Sequence, residues 1–313
     1  MFHGMEYVLA IWKTRSFSAA AKQLYISQPA LSNSIRRLED RLGAPIFDRS
    51  TNPIGLTEIG KQYISAAEQI QAIQENFSHY LDDIQNAQSG RISIGSGMMM
   101  ASYLLPELIA GYKESFPMID IRIIEGDERG LERMLLDGII DLLIEDRALP
   151  EHAFERQFYC KEHILLAVPK DWPLNQQLQP WQQSVENIIS GAFLNPIYPT
   201  VNLALFQDCP FVLNTPGDEN YNRAIALCQN YNFTPQPVLT LNHQLSSYNA
   251  ACSGLGAVFV SDTLIKGSLY NQNMIYYKIT GQEAEREICF YFKHNRYLPR
   301  CVSKFLEFAK NKS

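Results

Sequence analysis

The order of apolar and polar positions changes character twice along the chain. Over the first 42 residues it follows helical spacing in short runs. Met5, Val8, Leu9 and Trp12 predict a helix over 5–14. A second helix is predicted over 19–24 with Ser18 as its cap, and a third over 28–42 with Ser27 as its cap and Pro29 in its first turn. Gly43 then ends the third helix. Ala20, Ala21, Leu24, Ile26, Ala30, Leu31, Ile35 and Leu38 would form the inner side of the second and third helices, which leaves Gln28, Ser32, Asn33, Arg36 and Arg37 facing out. Residues 44–57 hold Pro, Asn and Gly at turn positions and read as a short hairpin, or wing.

From Thr57 the pattern becomes a thin stripe. Ile59, Tyr63, Ala66, Ile70, Ile73, Phe77, Tyr80 and Ile84 recur at alternating spacings of four and three, a 3.5-residue period. The helix over 58–85 would be roughly 40 Å long at ~1.5 Å per residue. Such a stripe suits a two-chain coiled coil, so these eight residues are the expected dimerisation set; the alternative is a helix docked on its own domain. After residue 90 strands alternate with helices. Strands are predicted over 91–95, 119–126, 141–145, 163–169, 210–214, 237–241, 256–262, 274–280 and 287–292, and helices over 103–116 and 131–136. Residues 171–200, rich in Gln, Asn and Pro, read as a long irregular connection. The fold class is therefore α/β with a helix-rich head, its body a largely parallel sheet arranged as two α/β lobes.

Composition sharpens this division. The 313 residues carry a net charge of −6. Residues 1–61 hold eight Lys/Arg against five Asp/Glu, a balance of +3, and the rest hold nineteen against twenty-eight, a balance of −9. A basic head on an acidic body places any contact with phosphates at the head. The six cysteines are scattered without a CxxC pair, as small buried residues in a reducing compartment would be. The start of the chain lacks the pattern of a secretory leader, and no apolar run reaches the ~18–20 residues that span a bilayer, so the expected location is cytoplasmic, with no membrane partner.

An outward face of amides, hydroxyls and guanidinium groups on a short helix is what a major groove admits. Arg49 and Thr57, at the ends of the wing, are typed for phosphate or minor-groove contact. With the helix-start residues Ser18, Ser27 and Pro29 they complete the expected DNA-binding set of Ser18, Ser27, Gln28, Pro29, Ser32, Asn33, Arg36, Arg37, Arg49 and Thr57. The bland alternative is a solvated face on an ordinary helical hairpin. Catalytic signals are weak. "GSG" at 95–97 follows a strand, but the sixth position of a dinucleotide fingerprint is Met100, and there is no P-loop, nucleophile elbow or HExxH. The six histidines lack metal-ligand spacing. No enzyme activity, cofactor or metal is expected.

At these residues the chain resembles the LysR-type transcriptional regulators. The family signature stands here as Phe17, Ala20, Ala21, Leu24, "SQPALS" at 27–32, Ile35, Leu38, Glu39, Leu56, Thr57 and Gly60, with "LGAPIFDRS" at 42–50 running into the wing. "IGSGMMMASYLLPELIAGYKESFP", "IIEGDERGLERMLLDGIIDLLIE", "FVLNTPGDENYNRAIA" and "AACSGLGAVFVSD" resemble family blocks in register, so the likeness covers essentially the whole chain. It implies an N-terminal winged helix-turn-helix over 1–57, with the helix-turn-helix motif at about 17–36. It also implies a linker and dimerisation helix over 58–88, and an effector domain over 89–313 with the two-lobed shape of a type 2 periplasmic binding protein. Lobe I would comprise 89–163 and 266–313, and lobe II 164–265.

In sheets of this kind ligands sit beyond the carboxyl ends of strands, near helix N-termini. The expected effector-binding residues are Ser96, Gly97, Met98, Met99, Ser102, Asp127, Glu128, Glu145, Asn214, Thr215, Asn242 and Gln244. The family often has Ser or Thr where Gly97, Met98 and Met99 stand, so the pocket is less polar here. Met98–Met100 either mould to an apolar ligand part or fill the lobe core. The expected partners are double-stranded DNA at a promoter or operator, a small-molecule effector, RNA polymerase and further copies of the chain, as a homodimer or homotetramer. Two rivals remain at this level: a ligand-independent architectural repressor, and a small-molecule-binding enzyme built on a solute-binding fold.

Overall fold

The computed structural model describes residues 2–51, 53–85, 90–267 and 272–312, the side chains at 75, 76 and 78–85 excepted. Tyr80 and Ile84 of the stripe and the end of the predicted linker, 86–88, fall outside what is described. The head consists of α1 (Met5–Thr14), α2 (Phe17–Gln23) and α3 (Gln28–Leu42), then β1 (Phe47–Asp48) antiparallel to β2 (Gly55–Leu56). Ser27 accepts from the Ala30 N–H at 3.3 Å and Gly43 takes the left-handed conformation at φ 72°, so α3 is capped at both ends as its sequence predicts. The cap of α2 is Ser16, not Ser18: its hydroxyl accepts from Ala19 N–H at 3.3 Å, and Ser18 lies exposed inside the first turn. Ala30, expected inside, is exposed beside Pro29.

Helix α4 (Glu58–Gln85) begins inside the head. Tyr63, Ile64 and Ala67 join Val8, Ile11, Leu31, Ile35 and Phe47 in one core, and Tyr63 stacks on Phe2 with ring centroids 5.1 Å apart. The periodic stripe is therefore divided. Tyr63 belongs to the head, while Ile59, Ile73 and Phe77 stay exposed at 49%, 66% and 61%. Ile73 and Phe77 also border a shallow depression of about 440 Å³ shared with Asp137, Gly138, Lys293, Arg296 and Tyr297 of the body. Periodicity reports an apolar side, and here the head covers only its first part.

The body runs β3 (Gly90–Ser96), α5 (Met98–Tyr103), α6 (Leu105–Ser115), β4 (Ile119–Glu125), α7 (Glu128–Asp137) and β5 (Leu142–Glu145) into β6 (Phe154–Pro169). Then come α8 (Leu174–Gln177), β7 (Gln182–Gln183), α9 (Val185–Ile189), β8 (Pro210–Asn214), α10 (Glu219–Gln229), β9 (Gln236–Leu241), α11 (Gln244–Cys252), β10 (Val258–Ser261), α12 (Asp262–Gly267), β11 (Met274–Lys278), β12 (Glu285–Lys293) and α13 (Arg300–Lys310). One sheet follows the order β4-β3-β5-β12-β6-β11-β7, with β10 also on β6, and β8 pairs β9 separately.

Three expectations need correction. The sheet is mixed: β3–β4, β3–β5 and β8–β9 are parallel, whereas β6 meets β10, β11 and β12 antiparallel. The helix predicted over 103–116 breaks at Leu104, because Pro106 has no N–H to donate to the Ser102 carbonyl and its ring would clash there, which suits it to the first turn of a new helix. Residues 171–200 are not irregular; they contain α8, β7 and α9, with Gln182 and Gln183 paired to β11. The crossing between lobes is made by β6. Its residues up to His163 pair β12, and from Ile164 onward it pairs β10 and β11. Since β11 pairs this second half, residues 274–278 lie with lobe II, and the chain returns to lobe I at β12 rather than at 266. Ile92, Leu105, Tyr112, Phe290 and Phe305 centre the core of lobe I; Leu166, Phe206, Phe211 and Tyr277 are in that of lobe II.

The head and α4 are locked by Gly60. A Cβ there would stand 2.0 Å from the Ile46 carbonyl oxygen. Gly60→Ala gains about 1 kcal/mol of helix propensity, but the backbone clash outweighs it. A net loss of about 2 kcal/mol is expected in the stability of the head, read as an earlier transition in urea denaturation. An unchanged curve would mean that α4 is not fixed against the wing.

Candidate functional site

The turn between α2 and α3 projects Tyr25, 96% exposed with φ 55°. Sequence reasoning passed over this residue; its signal is a bulky aromatic between two caps. On α3, Gln28, Pro29, Asn33, Arg36 and Arg37 share the exposed side, and Ser32 is half-buried beneath Gln28, whose amide donates to its hydroxyl at 2.9 Å. Ser27 is committed to its cap. The side of α3 opposite Leu31, Ile35 and Leu38 is thus a row of hydrogen-bonding groups on a rigid rod, a shape that enters a major groove.

The wing is held from below by Glu39. Its Oε1 accepts from Ile46 N–H at 2.8 Å and Phe47 N–H at 3.2 Å, and its Oε2 pairs with Arg49 at 3.1 Å. Arg49 remains half exposed, with its guanidinium 5.3 Å from the Phe17 ring. Thr57 also has a structural part. Its hydroxyl donates to the Pro45 carbonyl at 2.7 Å and accepts from Gly60 N–H at 2.9 Å, so it caps α4 and joins it to the wing.

Where the lobes face each other lies a cavity of about 540 Å³. Of the expected residues, Gly97, Met98, Met99, Asp127, Glu128, Glu145, Asn214, Asn242 and Gln244 line it. Three do not. Ser96 is buried and donates to the Gly97 carbonyl at 3.0 Å, Ser102 is exposed elsewhere, and Thr215 donates to Asn242 Oδ1 at 2.7 Å. The methionines divide: Met100 enters the lobe I core, Met99 packs against a lobe II cluster, and Met98 is exposed to the cavity.

Sequence reading missed the charged floor. Asp146, Arg286 and Asn220 line the cavity too. The Arg286 side chain is only 8% exposed and pairs with Asp146 and Glu162, and its Nη1 reaches Asn220 Oδ1 at 3.3 Å. Against the cost of burial, Arg286 holds the Asp146 carboxyl below the usual carboxylate range. Burial pushes Glu145 the other way, well above that range, and the neighbouring Asp146 adds to the rise. Across the cavity, Asn214 is only 6% exposed and its Nδ2 has no hydrogen-bond partner, an arrangement that costs about 1–3 kcal/mol unless something accepts from it. Among the described residues no group of His, Cys, Asp and Glu could hold a metal, the six cysteines are free, and no helix is long and apolar enough to cross a membrane.

A winged helix-turn-helix joined by one long helix to a two-lobed, clefted body defines a class: DNA-binding regulators with a ligand-binding domain. Family comparison agrees. The bacterial regulatory helix-turn-helix model of the lysR family matches residues 2–61, and the LysR substrate binding domain matches 85–185 and 191–313. The chain belongs to the LysR family and is a DNA-binding transcriptional regulator, not an enzyme. It is similar to an uncharacterized HTH-type transcriptional regulator, YcgK of Bacillus subtilis, with 25% identity over 98% of this chain and 93% of that one. A probable RuBisCO transcriptional regulator of Cyanidioschyzon merolae is 34% identical over 93% of this chain and 91% of its own. In structure the chain is similar to full-length CbnR complexed with its target DNA, with TM-score 0.71, 18% identity and full coverage of both chains.

The raised Glu145 carboxyl has a consequence for stability. In the native chain it keeps its proton to higher pH than the unfolded chain does, so native stability falls as pH rises from the ordinary carboxylate value through the raised one. Glu145→Gln removes this loss. The melting temperature of the variant, minus that of the native protein, is expected to rise between about pH 5 and about pH 8. A constant difference would show that Glu145 ionises normally.

Proposed function

We propose that the chain reads a specific duplex operator as a homodimer, with α3 in the major groove and the wing against the backbone. An effector held between the lobes then alters how the paired heads meet DNA and RNA polymerase. The observation that carries this reading is the exposed row of Gln28, Asn33, Arg36 and Arg37 along one side of α3. The charge division supports it, since only the head is basic. CbnR, similar along its whole length, is described in complex with its target DNA. The buried Asn214, whose Nδ2 has no hydrogen-bond partner, favours a body built to bind something over a purely architectural one. The proposed domains are 1–57, 58–88 and 89–313, two dimers joining through the bodies into a tetramer, in the cytoplasm.

The test is fluorescence anisotropy with duplex from the gene's own upstream region. Asn33→Ala should cost about 1–3 kcal/mol and relax base preference at one position. Arg37→Ala should weaken all sequences alike and lower the salt slope by about one. Native affinity in both variants would remove α3 from the interface. Association is read separately: Ile73→Asp, which charges the exposed stripe, is expected to sediment as a single chain at concentrations where the native protein is dimeric. An unchanged mass would assign the stripe to the body alone.

A further inference from the structure

Tyr25 stands in a place that suits it poorly. At the end of α2 its N–H donates to the Lys22 carbonyl at 3.3 Å, and Ile26 N–H donates to the Ala21 carbonyl at 3.0 Å. This pair of hydrogen bonds is a Schellman ending, and it needs the left-handed conformation at the residue just past the helix. Tyr25 adopts it, with φ 55°. Helices α3 and α7 end by the same two hydrogen bonds, and there the left-handed residue is glycine: Gly43 at φ 72° and Gly138 at φ 77°. The turn after α10 closes the same way on Asn232, at φ 63°. Glycine takes this conformation freely and asparagine tolerates it, whereas a bulky side chain is strained there. Of these four endings, the one at α2 carries that strain.

Packing does not offset it. Tyr25 is 96% exposed, and its ring and hydroxyl have no hydrogen-bond, stacking or cation partner among the described residues. A side chain that strains its backbone and buries nothing points to a role outside the chain. Its surroundings indicate which. Ser27, two positions on, caps α3, and Gln28 opens the exposed row. In a helix-turn-helix the second helix enters the major groove by its N-terminal residues, while the first crosses the backbone. The turn that joins them lies at the lip of the groove, over the phosphates. Lys22, exposed on the last turn of α2, adds a cation nearby. A phenol donates well to a phosphate oxygen, and such contacts position a protein without reading sequence.

We infer that Tyr25 is a further DNA-contacting residue: its hydroxyl donates to a backbone phosphate at the edge of the groove that receives α3. This deepens the operator reading and rests on it. Tyr25 sets affinity for all duplexes alike, and the residues of α3 set the choice of sequence.

The experiment is fluorescence anisotropy of the full-length protein over a range of salt. The probes are duplex from the gene's own upstream region and a scrambled duplex of the same composition. Tyr25→Phe should weaken binding to both by the same factor, roughly tenfold, with the salt slope unaltered because a neutral donor displaces no counterion. Tyr25→Gly should weaken both at least as much, while the urea transition of the head moves to higher concentration as the strain is relieved. Native affinity in Tyr25→Phe, with Arg37→Ala weakened, overturns the inference and leaves α3 in the groove. A loss confined to the upstream duplex overturns it too, since Tyr25 would then read bases. An earlier urea transition in Tyr25→Gly has the same effect, since the side chain would then serve the fold. Native affinity in all three variants fails the inference and the operator reading together.

Discussion

A guanidinium buried between two carboxylates fixes the centre of this molecule. Arg286 on β12 stands directly across the ladder from Glu162 on β6, and Asp146 meets it from the end of β5. These strands converge just before β6 exchanges its lobe I partner for those of lobe II. Burial makes such a cluster a poor source of net stability: its desolvation cost is comparable to its attraction, and replacement by apolar residues can be neutral. Removing one member is another matter, since about 3–5 kcal/mol is lost when a buried charge is left alone. The cluster therefore bears on register more than on stability, because a slip of β12 by one residue would set Arg286 opposite Lys161 or His163 in place of Glu162. With Arg286 neutralised from inside the fold, the wall above it shows mainly carboxylates.

The head obeys a similar economy with a single acidic residue. Glu39 satisfies two backbone N–H groups of the wing and holds Arg49, so one carboxylate shapes the wing and orients its cation. The ion pair itself is exposed and worth little, ~0–1 kcal/mol, so Arg49 can exchange Glu39 for a phosphate at small cost. The backbone hydrogen bonds are what anchor the wing. Thr57 and Gly60 complete the join to α4, which makes the head and the first turns of the long helix one rigid body.

What could be read from the sequence was local. The bounds of α1, α3 and α4 follow from period and caps, and the wing from its turn residues. The cap of α2 went to the wrong serine because Ser16 and Ser18 flank Phe17, and only the hydrogen bond to Ala19 distinguishes them. The first half of β6 was invisible because "FERQFYCKE" lacks the alternation of a half-buried strand: the charged pairs Glu155–Arg156 and Lys161–Glu162 flank an apolar run at 158–160. Register hid the rest. The place of β11 in lobe II depends on its pairing with residues 165–169, more than a hundred positions earlier. The cleft residues that follow strands, such as Glu145, Asn214 and Gln244, were legible from the rule that ligands sit at strand ends; Arg286 was not, because its partners are set by a cross-strand neighbour and a loop. Ser96, Ser102 and Thr215 obeyed that rule in sequence, but their hydroxyls turn to the backbone, to solvent and to Asn242.

The two ends of α7 connect these regions. Its first residues, with Asp127 and Glu128, face the cleft; its last, Asp137, meets α4 beside Ile73 and Phe77. Ten residues of helix span about 15 Å and do not compress, so a displacement at the N-terminal end would carry to the C-terminal end. Such continuity becomes coupling only where the far contact has two arrangements of similar free energy. The junction carries opposed like charge. Burial first, and then the charge of Asp137, push the Glu68 carboxyl above its ordinary range, so two carboxylates oppose each other where α4 meets the body. Arg133, 3.6 Å from Asp137, offsets this only in part, since it is largely exposed. That repulsion opposes the contact between α4 and the body. The full swing from one part in a hundred to ninety-nine requires ~5.5 kcal/mol of differential affinity, and across an assembly of several chains each cleft would supply a fraction of it.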